Sequence, residues 1–161
     1  MEERCVALKL LLDELAVPSQ IDTVADRKRV QKAVYLVQQT GLDLGYQYSW
    51  YLMGPYSAAL TRDYYDLAAS LNEGDEDFPP VELRGAVLER LQRVKPLMEV
   101  PEYCSLDQSS WLALIASVHY LQKARGLDPE AADQELEKLK PDLAPWVVPA
   151  RLELEASSLL P

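Results

Sequence analysis

Residues 27–71 change their hydrophobic period twice, and no single element can carry both changes. The stretch reads RKRVQKAVYLVQQTGLDLGYQYSWYLMGPYSAALTRDYYDLAASL. Val30, Ala33, Val34 and Val37 recur at i, i+3, i+4 and i+7, the stripe of an amphipathic helix. From Tyr46 to Met53 the period falls to two. Tyr46, Tyr48, Trp50 and Leu52 then share one face and Gln47, Ser49, Tyr51 and Met53 the other, which predicts a strand with its first face toward the core. Gly54-Pro55 is expected to end that strand, because proline has no ladder donor and glycine tolerates the crowding before it. Ser57 can cap a further helix whose inward stripe is Leu60, Tyr64, Leu67, Ala68 and Leu71.

The rest of the chain reads as helix. Residues 3–15 form the first, and Pro18 closes it; Asp22, Thr23 or Asp26 caps the second, which Gly41 stops. Residues 85–98 form another, with Pro96 placed to end it early. In 108–125, opened by Ser105 or Asp107, apolar residues cover much of the circumference, as in a buried central helix. Gly126-Leu127 stops it, and Asp128-Pro129 caps and opens a helix over 130–140. Pro141, Pro145 and Pro149 predict an extended connector before a last helix over 150–160. A lone strand leaves its backbone unpaired, and the segment 81–83 is the expected partner of 46–53. Residues 72–80 read as an acidic, flexible loop. The expected fold is therefore mainly α: one domain over 1–161, a bundle of about six to seven helices with a small β element at 46–53 and 81–83.

Composition narrows the function classes. A chain of 161 residues can bury about 70% of its unfolded surface without disulfides or metals. Sixteen Lys and Arg against 26 Asp and Glu give a net charge of −10, which disfavours nucleic acid and suits a basic protein partner. No run approaches the ~20 apolar residues of a membrane span, and Met1-Glu2-Glu3-Arg4 lacks a secretory head, so the cytoplasm is expected. Cys5 and Cys104 read as buried small hydrophobes. His119 is the only histidine, which removes every two-histidine metal motif; within the central helix it reads as a core or interface residue holding a hydrogen bond. No Walker loop, GxGxxG or GxSxG occurs, and no nucleophile, base and orienting group stand in a recognisable set. The expectation is a chain that is not an enzyme, with no catalytic residue, metal or cofactor assigned.

What remains is a concentration of charge and aromatics. Arg27, Lys28, Arg29 and Lys32 crowd a helix start, where the macrodipole disfavours cations by about 0.3–1 kcal/mol each. Either nearby acid such as Asp22 and Asp26 compensates, or an anionic ligand or acidic partner does. Tyr35, Tyr51, Tyr56 and Tyr65 do not fit the core stripes. Arg27, Lys28, Arg29, Lys32, Tyr35, Tyr51, Tyr56 and Ser57 are the residues that burial does not already explain, and they form the expected partner-binding set.

The run from Arg27 to Gln38, then Gly41 to Tyr46 and Tyr51 to Ser57, resembles the hallmark of the YwgA-like family of uncharacterised prokaryotic proteins. Residues 116–121 (ASVHYL) and 138–141 (KLKP) are similar to the same pattern, so the resemblance spans most of the chain. The Gln31-Lys32, Tyr35-Leu36 helix followed by an aromatic strand and Gly54-Pro55 also resembles, more distantly, the Panacea domain of SocA-like antitoxins and phage-associated proteins. The resemblance implies a small, mostly helical cytoplasmic protein associated with defence or mobile elements, and it brings no catalytic residues. The leading expectation is a non-enzymatic protein-binding module, antitoxin- or adaptor-like, with a basic, toxin-like partner. The alternative is a winged-helix DNA-binding regulator using the helix from Arg27 to Gln39. A homodimer stays open.

Overall fold

The computed structural model describes residues 1–52, 54–74 and 81–161. Seven α-helices run through them: α1 Glu3–Glu14, α2 Val24–Gln38, α3 Ala58–Asn72, α4 Gly85–Val94, α5 Gln108–Lys123, α6 Pro129–Leu139 and α7 Ala144–Ala156. One hairpin, β1 Ser49–Tyr51 and β2 Gly54–Tyr56, lies between α2 and α3. This is the expected mainly α class, and α5 is its axis. Every residue from Trp111 to His119 is buried, with α2 on one flank and α6 and α7 on others, while α1 packs on α3. Trp111 keeps its one polar atom satisfied by donating Nε1–H to Leu97 O at 3.1 Å. Cys5 and Cys104 are free and buried, as their spacing suggested.

Local chemistry sets most helix ends. Thr23 Oγ1 accepts the Asp26 N–H at 3.0 Å while Asp26 Oδ2 accepts the Thr23 N–H at 3.2 Å, a reciprocal cap on α2. Asp107 and Asp128 each accept from the third residue on, at 2.8 Å, opening α5 and α6. Gly126, at φ +67°, turns the chain after α5, and Leu127 N–H returns to Leu121 O. Pro96 divides the helix expected over 85–98 into α4 and a 3-10 segment, Lys95–Met98.

Three expectations are corrected. First, the strand pairs locally, Ser49 with Tyr56, Trp50 with Pro55 and Tyr51 with Gly54, and 81–83 is not a strand. Gly54 adopts φ +101°, which lets the chain fold back at once; a partner 30 residues on would require a far longer loop closure. Pro55 is tolerated because both strands of a two-stranded ribbon are edges. The ladder is shorter than 46–53, and Leu52, placed on the core face by alternation, is 73% exposed at the hairpin end. Second, the connector expected over 141–149 is helical: a 3-10 turn Pro141–Leu143 runs into α7, where Pro145 sits in the first turn and Pro149 inside. Pro149 forfeits a helical donor, yet Val147, Ala150 and Leu154 are fully buried and hold the helix across it. Third, Lys32 and Tyr35, set apart as residues that burial does not explain, are buried, together with Gln31, on the side of α2 away from the Val30 stripe. The acidic loop expected over 72–80 lies outside the described residues from position 75 onward.

Candidate functional site

The buried polar side of α2 holds the returning chain. Gln31 donates Nε2–H to Ser57 O at 2.8 Å and accepts the Ser57 N–H at 3.0 Å, so one side-chain amide fixes the residue that caps α3. Lys32 Nζ donates to Pro55 O at 2.7 Å. Gln38 makes the same double contact with the backbone of Tyr46, at 3.0 Å in each direction. The Tyr35 hydroxyl lies 2.8 Å from His119 Nδ1, joining α2 to α5. Side chains at positions 31, 35 and 38 follow a helical stripe, as a second core face does; Gln31 and Gln38 bind backbone, while Tyr35 binds His119 and packs on the rings of Tyr48 and Tyr120.

Between the start of α2, the hairpin and α3 this arrangement leaves a cleft of 280 Å³. Arg27 and Lys28 form its basic rim; Tyr51, Leu52 and Tyr56 come from the hairpin; Thr61, Tyr64 and Tyr65 come from α3. Lys32 and Gln31 line it from within the protein. The rings of Tyr51 and Tyr56 lie 5.5 Å apart and tilted, and those of Tyr64 and Tyr65 5.2 Å apart, also tilted. The Thr61 hydroxyl receives Gln31 Nε2–H at 2.9 Å and donates to Tyr56 Oη at 2.7 Å, so the aromatic wall is tied to α2. A second cavity of 430 Å³ lies beyond the hairpin, against Trp50, Gly54, Ser117 and Lys140, and Lys28 borders both. Arg125 stacks over the Trp50 ring at 5.2 Å on that side.

Electrostatics distinguishes Lys32 from its neighbours. Only 2% of it is exposed, and burial, followed by repulsion from Lys28, pushes its pKa down to about 7. Its amine therefore takes up or releases a proton near neutral pH. His119 goes the same way for the same first reason: burial lowers it to about 4, against a hydrogen bond with the Leu159 backbone that favours the charged ring. It is the hydrogen-bonded core histidine that the sequence suggested.

The expected binding set divides. Arg27, Lys28, Tyr51 and Tyr56 meet at the cleft, and Lys32 lies at its base. Arg27 also ties Nη1 to Ile21 O at 2.9 Å, whereas Arg29 is turned to Asp26 at 3.2 Å, outside the lining. The basic helix start is thus compensated locally at Arg29 but not at Lys28, which makes no hydrogen bond or ion pair within the described residues. Tyr35 and Ser57 are withdrawn from the set: Tyr35 is buried against His119, and Ser57, 0% exposed, caps α3 by accepting Leu60 N–H. Residues 30–37 of α2 are buried without interruption, whereas residues 24–29 at its start are exposed or half-buried.

Six residues of the cleft lie outside the expected binding set. Tyr65 falls off the core stripe, so a signal is present; Leu52 and Tyr64 read as core-facing, and Val24, Gln31 and Thr61 give none, because their roles depend on what folds back over α2. Among the described residues, no helix is long and apolar enough to cross a membrane. Comparison with protein-family models, with curated proteins and with solved structures returns no match for this chain.

Proposed function

We propose that the chain is a non-enzymatic protein-binding module, of the adaptor or antitoxin kind its sequence resemblance implies, that receives an acidic segment of a partner protein in the cleft between α2, the hairpin and α3. One observation carries this. Of the ten large apolar side chains exposed among the described residues, four (Val24, Tyr51, Leu52 and Tyr65) meet around this one cleft. Exposed aromatics gathered beside Arg and Lys are the composition of interface anchors rather than of scattered surface. The rim charge then selects the partner's sign. Although the net charge of −10 suits a basic partner, Arg27 and Lys28 make this face locally positive, and a docking segment meets the local field at contact range. Side chains that catalysis would recruit are engaged in holding the chain, His119 with Tyr35 and Ser57 at its cap.

A photo-crosslinking amino acid at position 52, beside the cleft, is compared with one at position 152, where α7 exposes another leucine. Under native conditions a protein crosslinked from 52, not from 152, is expected, with yield falling as salt rises and lost when Tyr51 and Tyr65 are both alanine. Identical products from the two positions, or crosslinks only between copies of this chain, overturn the reading.

A further inference from the structure

Lys32 is a buried cation with no counter-ion among the described residues. It is 2% exposed and its one hydrogen bond goes to the Pro55 carbonyl at 2.7 Å, so two of its three ammonium N–H donors have no partner among the described residues. Among the described residues no carboxylate stands within ion-pair distance of it, and none lines the cleft. A chain with 26 acidic residues has thus gathered three cations, Arg27, Lys28 and Lys32, around one cavity. A buried charge left unpaired is expensive, and it is relieved by an anion or by giving up its proton.

We propose that Lys32 is the anchor of a carboxylate subsite, which takes one side-chain or C-terminal carboxylate of the partner segment at the base of the cleft. This rests on the docking reading above. Two free N–H donors match the two oxygens of a carboxylate. A phosphate dianion is less well served at the base of the cleft, because the Asp26 N–H is held by the Thr23 hydroxyl and the Arg27 N–H by the Thr23 carbonyl, so donors for a third oxygen come only from Lys28 and the remaining guanidinium N–H groups of Arg27 at the rim. The apolar rings of Tyr56 and Tyr64 complete walls that suit a carboxylate on a hydrocarbon stem.

Binding is coupled to a proton. With the cleft empty, Lys32 is half neutral near pH 7, lowered by burial and by Lys28. The arriving carboxylate favours the ammonium, so the amine takes a proton from solvent as the ion pair forms. The groups that share the cleft with it are Arg27 and Lys28 on its own helix, Tyr51 and Tyr56 on the hairpin, and Tyr64 and Tyr65 on α3. On the α5 side Asp107 acts on Lys28, and His119 is occupied by Tyr35. Only the protonated amine pairs with the carboxylate, so affinity is full below about pH 7 and falls about tenfold from pH 6 to pH 8.

The test uses the full chain with isotope-labelled lysine, followed by NMR, and three probes: 4-phenylbutyrate, its neutral amide and inorganic phosphate. Phenylbutyrate is expected to raise the Lys32 titration midpoint by at least one pH unit and to bind about tenfold more weakly at pH 8 than at pH 6; the amide and phosphate are expected to leave Lys32 unmoved. Lys32→Met is expected to erase the preference for the acid over the amide. Equal effects of acid and amide, or of phosphate and phenylbutyrate, overturn the carboxylate assignment without requiring any variant to fold. The crosslink from position 52 separates this from the docking reading. If Lys32→Met captures the partner as well as wild type at pH 6, docking stands and the anchor falls; if wild type captures nothing, the partner assignment falls whatever phenylbutyrate does.

Discussion

Lys32 Nζ reaches Pro55 O at 2.7 Å across the base of the cleft, and this hydrogen bond is what a buried ammonium receives in place of a counter-ion. One neutral acceptor does not replace the hydration lost on burial. The unfolded chain holds this proton to about pH 10.4, the folded chain only to about 7, so the unfolded state binds more protons in that interval and stability rises with pH through it. Lys32→Met is therefore expected to be more stable than wild type by about 2–4 kcal/mol at pH 6, with the difference shrinking by pH 9. Urea denaturation of both proteins at the two pH values measures it. An equal difference at both would show that Lys32 keeps its proton in the folded protein.

Because His119 is the chain's one histidine, its titration can be read without assignment. Burial lowers it to about 4, and its ordinary value is near 6.5. The ring is expected to show no titration by NMR between pH 5 and pH 8. The unfolded histidine takes up its proton below about 6.5 while the folded one does not, so this group's contribution, present above that value, declines by about 3 kcal/mol as pH falls toward 4. Tyr35→Phe removes the 2.8 Å partner of Nδ1 and is expected to cost about 1–2 kcal/mol in denaturant unfolding at pH 7.

Gly54 meets two constraints at once. Its φ of +101° disfavours any L side chain, and a Cβ built there would lie 2.4 Å from Ser117 Oγ on α5. Gly54→Ala is expected to destabilise by about 2–4 kcal/mol. Adding Ser117→Ala removes the close atom and not the backbone strain, so the double variant should recover roughly half of that loss. Strict additivity in thermal or urea unfolding would show that contact with α5 plays no part.

Asp63 on α3 joins three parts of the chain, accepting Tyr46 Oη–H at 2.6 Å and Arg4 Nη1–H at 2.7 Å. The Arg4 side chain is 60% exposed and the Asp63 side chain 4%. Arg4→Ala is accordingly expected to cost under about 1 kcal/mol. Asp63→Ala, which leaves the Tyr46 hydroxyl without its acceptor, is expected to cost about 2–3 kcal/mol. Equal losses in denaturant unfolding would contradict this division.

Legibility followed the range of the interaction. The cap at Asp128, the stop at Gly126 and the buried circumference of α5 depend on residues within about one helical turn of each other and are readable, whereas Thr23 and Asp107 are readable only as one of three and one of two cap candidates. The hairpin was half readable. Alternation marked 46–53, but the turn at Gly54 was taken as an ending because its positive φ, which makes the fold-back possible, leaves no mark beyond the glycine itself. The cleft was legible as a set of residue types, with Arg27, Lys28, Lys32, Tyr51 and Tyr56 together, and illegible as a shape.

The sequence by itself determined where most of the helices form and which stripe of each is apolar, since backbone hydrogen bonding and side-chain period are local properties; the helical turns over 141–149, read as an extended connector, it did not. Only the tertiary structure decided the fate of the other side of α2. Gln31, Lys32 and Tyr35 look like a solvated face until the chain, 23 to 84 residues further on, brings Pro55, Ser57 and His119 against them. A neutral polar side chain such as Gln31 is about as stable against backbone partners as against water when the geometry is met, so hydropathy cannot separate the two; for Lys32 the exchange is unfavourable, and composition does not reveal that either. Long-range packing therefore buried one lysine and left the rings of Tyr51 and Tyr65 open above it, which composition alone could not distinguish.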